Sequence, residues 1–276
     1  MCIFKPPQGG FFIGQKMKKL IAITTDFGDG FASVQLRAIL NALGFAGEVI
    51  ENHGVAPFSV LEGGFQILTL SKFTPSNTVH VGVVDPGVGS ERKGIIIKTN
   101  KFYFVGPNNG LLWPAANKNG VISVWQIRES KIGREISNTF HGRDVFIKVA
   151  AHLAKGKRPE SFGAIKVSKS VLEKNDFRSG QVLHIDPYGN IKIYWPRKIN
   201  IGEKLLIQGG GRKYLIPIVK TFSDVPPKKP LALFGSSSTL ELAINLGSAR
   251  TFFDASIGDQ LNISSLGKKK KRSDYV

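Results

Sequence analysis

Two short segments gather the residue types from which chemistry is built. In VVDPGVGSER, Val83 to Arg92, an alternating apolar run ends in Asp-Pro-Gly and turns through Gly87 and Gly89. Such a turn can deliver a carboxylate, Asp85, and a guanidinium, Arg92, to one end of a sheet, where open α/β sheets hold their ligands. A second segment, TFHGRD, Thr139 to Asp144, adds an imidazole, His141. Each residue also has an ordinary reading. Asp85 can cap backbone donors while the glycines supply positive φ. Arg92 can pair with Glu91 or Asp144 on the surface, and His141 can cap the helix that follows. Taken singly, the ordinary reading is preferred.

The elements that must position these loops alternate in the first half. LIAITT is an apolar strand before a turn at Gly28 and Gly30, and Val34 to Leu43 reads as a helix with Leu36, Leu40 and Leu43 on one face. Val60 to Phe73 reads as a second helix, entered through Pro57. VHVGVV, GIIIK, FYFVG and ISVWQI read as strands, and Arg143 to Lys155 returns to helical spacing. This alternation predicts a layered α/β domain with a mostly parallel sheet. After Lys155 the texture becomes polar and is broken by Gly and Pro. Short strand-like runs follow: GQVLHID, NIKIYW, KLLIQ, KYLIPIVK and PLALFG, with Gly209-Gly210-Gly211 as a hairpin turn. They predict a small antiparallel β-barrel-like domain. The expected division is an extension over 1–16, an α/β catalytic domain over 17–155, a linker over 156–176, a β-barrel-like substrate-binding domain over 177–266 and a basic tail over 267–276.

Composition narrows the class. The chain has 276 residues, 42% of them hydrophobic and 21% charged, enough for a sizeable buried core. No apolar run approaches the roughly 18 residues of a membrane span, so no membrane partner is expected. Cys2 is the single cysteine, which forbids an intrachain disulfide and fits a cytoplasmic setting. The histidines His53, His80, His141, His152 and His184 show no metal-ligand spacing, and no metal site is expected. Met1 to Lys16 has no basic segment leading into an apolar core, so it does not read as a signal peptide. The net charge is +18, five of the positives lying in Lys268 to Arg272. Such a tail attracts nucleic acid only non-specifically, since no RNA-binding or zinc-finger pattern accompanies it.

The chain resembles the S-adenosyl-L-methionine hydrolases (SAM hydroxide adenosyltransferases), relatives of the fluorinases and chlorinases. The resemblance runs in order through TTDFG (24–28), APFSVLEGG (56–64), TVHVGVVDPGVGSER (78–92), GPNNGLL (106–112), TFHGRD, IDPYGN (185–190), GSSSTLELAIN (235–245) and IGD (257–259), over nearly all of 17–263. It implies displacement at the ribose C5′ of S-adenosylmethionine by water or hydroxide, giving adenosine and L-methionine. S-adenosylmethionine is then the substrate, and no cofactor is implied.

The resemblance also implies the site. Asp85, Arg92 and His141 match the family's catalytic Asp-Arg-His set, and Asp26 matches the acid that receives the ribose hydroxyls. The loop after it is shortened, so whether Asp29 reaches the methionine ammonium stays open. Asn190 matches the residue that reads the adenine edge, Tyr188 and Phe222 the aromatics flanking the base, with Asp186 in the same turn. Ser236, Ser237 and Glu241 match the patch that grips the methionine end. The serines can equally cap a helix over TLELAIN, and both can hold at once. The family implies a homotrimer with each site shared between subunits. Two other readings are a SAM-dependent halogenase of the same fold and a non-catalytic SAM or adenosine binding protein with nucleic-acid affinity. The tight connection between GIIIK and GPNNGLL leaves no room for the extra loop of the fluorinase branch.

Overall fold

The structure, a computed structural model, describes residues 19–209, 212–235, 237 and 239–266. The expected extension over 1–16 and the basic tail over 267–276 lie outside them.

Strand β1 (Leu20–Thr25) is buried along its whole length, which its unbroken apolar run makes possible in the middle of a sheet. Parallel neighbours flank it, β2 (Glu48–Asn52) on one side and β3 (Val79–Val83) on the other. Beyond β3 lies β5 (Tyr103–Pro107), also parallel. The hairpin strand β4 (Gly94–Thr99) and then β6 (Val121–Gln126) and β7 (Ile165–Val167) follow with antiparallel pairings. The order is β2-β1-β3-β5-β4-β6-β7. Strands β2, β1, β3, β5 and β6 thus run one way, and β4 and β7 the other.

Helices cover both faces, as the alternation of inward side chains requires. Ile21, Ile23, Val79 and Val81 pack with α1 (Phe31–Ala42) and α4 (Ile147–Ala154) through Leu36, Leu40, Val149 and Ala150. Ile95, Ile97 and Phe104 face the other way, onto α2 (Val60–Leu70) and α3 (Trp113–Lys118) through Ile67, Ala115 and Ala116.

The second half forms two antiparallel sheets around one core. One has the order β12-β13-β9-β8, from β8 (Val182–Ile185), β9 (Ile191–Ile193), β12 (Pro230–Phe234) and β13 (Leu240–Ile244). The other has the order β11-β10-β14, from β10 (Lys204–Gly209), β11 (Arg212–Pro217) and β14 (Asn262–Leu266). Val182, Ile193 and Leu242 from the first meet Leu205, Ile216 and Ile263 from the second, and a bridge from Ile218 to Ala232 joins the sheets. Gly210 and Gly211 of the expected turn lie outside the described residues.

Two expectations need correction. TLELAIN is not a helix: Leu240 to Ile244 is β13, paired on both sides. The alternation explains it, since Leu240, Leu242 and Ile244 enter the shared core while Glu241 and Ala243 point to the opposite face. The polar stretch read as a linker also carries structure, because Ile165–Val167 pairs with β6 as the seventh strand. The seam between the halves is bonded. Glu62 of α2 meets His184 of β8, Lys72 donates to the Ser237 carbonyl at 2.8 Å, and Trp113 Nε1 donates to Asp176 at 2.7 Å.

Candidate active site

The loop after β3 must pass over the end of β5 to reach β4, and this detour returns Arg92 to the side of Asp85. Arg92 Nε donates to Asp85 Oδ1 at 3.0 Å and NH2 to Oδ2 at 2.6 Å, the paired geometry a guanidinium offers a carboxylate. Gly89 stands at φ +78°, and a Cβ there would lie 2.5 Å from the Asn138 carbonyl oxygen. Glycine therefore lets this loop abut the one that carries His141. Across that contact Arg92 NH2 lies 2.8 Å from His141 Nδ1. The Phe146 ring covers the guanidinium, 5.3 Å from Cζ. All three polar side chains are under one-tenth exposed, at 6% for Asp85, 9% for Arg92 and 6% for His141.

His141 leads into one π-helical turn, Gly142–Phe146, before α4 begins. Such turns are uncommon and recur where a helix must aim a functional group. Its frame is Asp144, which the sequence suggested only as a rival partner for Arg92. Instead Asp144 accepts Arg143 Nε at 2.7 Å, Arg143 NH2 at 2.8 Å and the Ser137 amide at 3.0 Å. The Arg143 guanidinium, helped by that amide, holds the Asp144 carboxyl below the usual carboxylate range. Arg143 NH1 reaches Gln35 on α1 at 2.9 Å and Cζ lies 4.9 Å over Phe140, whose ring meets Phe27 edge-on. Arg143, two residues after His141, thus ties the loop to α1 and to the turn after β1.

A cleft of about 280 Å³ opens here, lined by Asp26, Phe58, Asp85, Phe140 and His141 among others. Asp26 sits at the end of β1 and accepts the Phe58 amide at 2.8 Å. Phe58 is 73% exposed and held at φ +62°, a costly conformation for a residue with a Cβ. The sequence carried no signal for it.

The other expected site residues are elsewhere. Asp29 is exposed and lines a neighbouring cleft with Arg37 and His53. Asp186 is taken up by its own turn, accepting the Tyr188 and Asn190 amides at 3.0 Å each and Asn190 Nδ2 at 3.1 Å. Tyr188 is 80% exposed and Phe222 41%, whereas Asn190 is buried. Asp186 and Tyr188 border a separate cleft of about 720 Å³ at the seam, with Glu62 and His184. Glu241 is buried on β13 and accepts Lys192 Nζ at 2.8 Å. Ser236 lies outside the described residues. Among the described residues, the lining of the Asp26–His141 cleft comes wholly from the α/β unit, between Asp26 and Gly142.

A helix-covered sheet joined to a small β-barrel-like unit, with carboxylate, guanidinium and imidazole bonded together at the strand ends, is the plan of an enzyme acting on a small molecule. The comparisons name the family. The SAM hydroxide adenosyltransferase N-terminal domain matches residues 21–163 and the C-terminal domain of the same family matches 180–262, so the chain belongs to that family. It is 30% identical to an (R)-S-adenosyl-L-methionine hydrolase of Salinispora arenicola, over 89% of this chain and 97% of that one. A protein of the same description from Methanocaldococcus jannaschii is 35% identical over 66% of this chain and 69% of its own. Proteins described as fluorinases stand further off, at 24% identity for one from Actinoplanes. Among solved structures, an uncharacterized conserved protein from Thermotoga maritima superposes with a TM-score of 0.82 at 30% identity, over 88% of this chain and all of that one.

Proposed function

We propose that this chain hydrolyses S-adenosyl-L-methionine to adenosine and L-methionine. One observation carries the reading: Asp85, Arg92 and His141 bonded in series beside a cleft that Asp26 also lines. A sulfonium departs as a neutral thioether and needs no acid. The work therefore falls on a water held in line with the C5′–S bond. Its oxygen bonds to C5′ as the C5′–S electron pair goes to sulfur, and its proton passes to the protein. Arg92, fixed by Asp85, lowers the energy of the developing hydroxide, and His141 faces the water. S-adenosylmethionine is the substrate in this scheme, and the chemistry calls for no cofactor.

Asp26 receives the ribose hydroxyls, for which a carboxylate accepting two vicinal donors is suited. Asn190, seated by Asp186, reads adenine, Tyr188 and Phe222 flank the base, and Ser236, Ser237 and the Lys192-paired Glu241 hold the methionine end with Asp29. The residues from Asp186 to Glu241 act from a neighbouring copy in a homotrimer, facing Asp26, Asp85, Arg92 and His141 of this one. The exposure of Tyr188 and Phe222 and the lining of the cleft by the α/β unit support this arrangement. The domains are then the catalytic unit over 17–155 and the substrate-binding unit over 177–266, in the cytoplasm. Among the described residues no helix is long and apolar enough to cross a membrane.

The β4–β5 turn, closed by Thr99 and Phe102, is too tight to hold the extra loop of the fluorinase branch, which favours hydrolysis over halogenation. Incubation with S-adenosylmethionine, with and without chloride or fluoride, tests both. Adenosine and methionine in equal amounts are expected throughout. A 5′-haloadenosine, or unchanged substrate, would overturn the assignment.

A further inference from the structure

A second carboxylate stands against the bonded trio. Glu129 opens a 3-10 turn, Glu129–Lys131, just past the end of β6. Its Oε1 lies 3.4 Å from His141 Nδ1 and 3.8 Å from Arg92 NH1, and its side chain is 34% exposed. That NH1 is buried and has no hydrogen-bond partner. The carboxylate is therefore placed to answer either donor.

The tautomer of His141 gives Glu129 its importance. Arg92 NH2 lies 2.8 Å from Nδ1, and a guanidinium has only donors. Nδ1 must accept that bond, so the neutral ring carries its proton on Nε2. A ring in this state donates to a water at Nε2 and cannot take that water's proton. To act as a base it must instead hold its proton at Nδ1, and an Nδ1–H needs an acceptor. Both Asp85 oxygens are engaged by Arg92. Among the described residues, Glu129 is the carboxylate within 4 Å of the ring.

We propose that Glu129 is a positioning residue that converts His141 from a hydrogen-bond donor into a base. The ring gives its Nε2 proton to solvent and takes one from solvent at Nδ1; a small rotation of the Glu129 side chain brings Oε1 onto that Nδ1–H, and Arg92 NH2 lets go of the ring while keeping Asp85. Nε2 then presents a lone pair to the water. The water proton moves to Nε2, the oxygen bonds to C5′, the C5′–S pair goes to sulfur, and the imidazolium charge is balanced by Glu129. The identity of the electrophile rests on the hydrolase reading above. The exchange of ring partners does not.

The test is Glu129→Gln, with Glu129→Asp as the conservative control and thermal melting to confirm folding. In turnover of S-adenosylmethionine, the Gln variant should lose kcat by on the order of 10²-fold with KM within about twofold, and Asp should recover part of it. The second readout needs no turnover: ring 15N shifts of His141 in the free protein. Wild type should carry a several-fold larger Nδ1–H fraction than the Gln variant. Identical ring tautomers in the two proteins, or an unchanged kcat, would overturn the role of Glu129. A wild type that leaves S-adenosylmethionine intact would sink the hydrolase reading instead, and the ring shifts would still decide the inference about Glu129.

Discussion

Arg92 and His141 share a hydrogen bond, yet neither is asked to grip the ligand, so replacing them should affect rate and not affinity. Arg92→Ala and His141→Ala should each lower kcat by about 10²–10⁴ while KM stays within a few-fold, measured by adenosine release. Wild-type turnover in either variant would remove it from the site. Asp26→Ala should do the opposite and weaken binding, because its work is on the ribose. Gly89→Ala tests the loop contact. Its positive φ and the Asn138 carbonyl 2.5 Å from the would-be Cβ leave no room for a methyl. The change should cost at least about 1 kcal/mol of stability and lower kcat by pushing His141 off Arg92, and an unaffected kcat would mean that the loops yield independently. At this scale the sequence pointed to Asp85, Arg92 and His141 only through the family resemblance of their segments, and the structure bonds the three together. The sequence could not disclose Glu129 or Phe58, whose place depends on where a 3-10 turn and a bent loop end in space. Nor could it decide between partners: Arg92 and Arg143 both had acids nearby in sequence, and only the π-helical turn assigns Asp144 to Arg143.

Among the elements, β3 leads into Asp85 and also carries a group that opposes acid. His80 is 1% exposed, stacked on Phe104 with ring centroids 5.1 Å apart and within 3.1 Å of Thr74 Oγ1. Burial pushes its pKa down from 6.5 to about 4. Between these values the unfolded chain binds a proton that the folded chain refuses, so stability falls as pH falls through that window. The loss approaches about 3 kcal/mol near pH 4. Denaturant midpoints at pH 7 and 4.5 should diverge in wild type and much less in His80→Phe. Parallel loss in both proteins would assign the acid sensitivity to other groups. Helices α1 and α2 and most strands were legible because their apolar periods are long. TLELAIN was misread because leucine, glutamate and alanine favour helices, and the period-2 contacts with two neighbouring strands outweigh that preference. Strands β2 and β7 were missed for a related reason. Both lie at sheet edges with polar faces, where alternation is faint.

For the whole molecule, the residues of the α/β unit share a cleft while Asn190 lies across the seam in the other unit. Inactive Asn190→Ala and His141→Ala chains should therefore complement when refolded together, because some contacts would pair an intact cleft with an intact adenine site. A tagged pulldown verifies mixing, and mixed assemblies without activity would place the whole site inside one chain. The bonded seam described above has a consequence for shape. Glu62–His184, Lys72–Ser237 and Trp113–Asp176 tie the two units together; under the proposed sharing of sites between copies, each chain would offer one surface that gives and a different one that receives. Contacts between unlike surfaces cannot end in a face-to-face pair. They repeat by the same rotation until they close as a ring or run on as a filament. In the proposed assembly, the angle between the units, which these bonds help to hold, would decide which. Loosening the seam with Glu62→Ala should broaden the population of ring sizes seen by native mass spectrometry, whereas a sharp, unchanged trimer would show that the interface itself imposes closure.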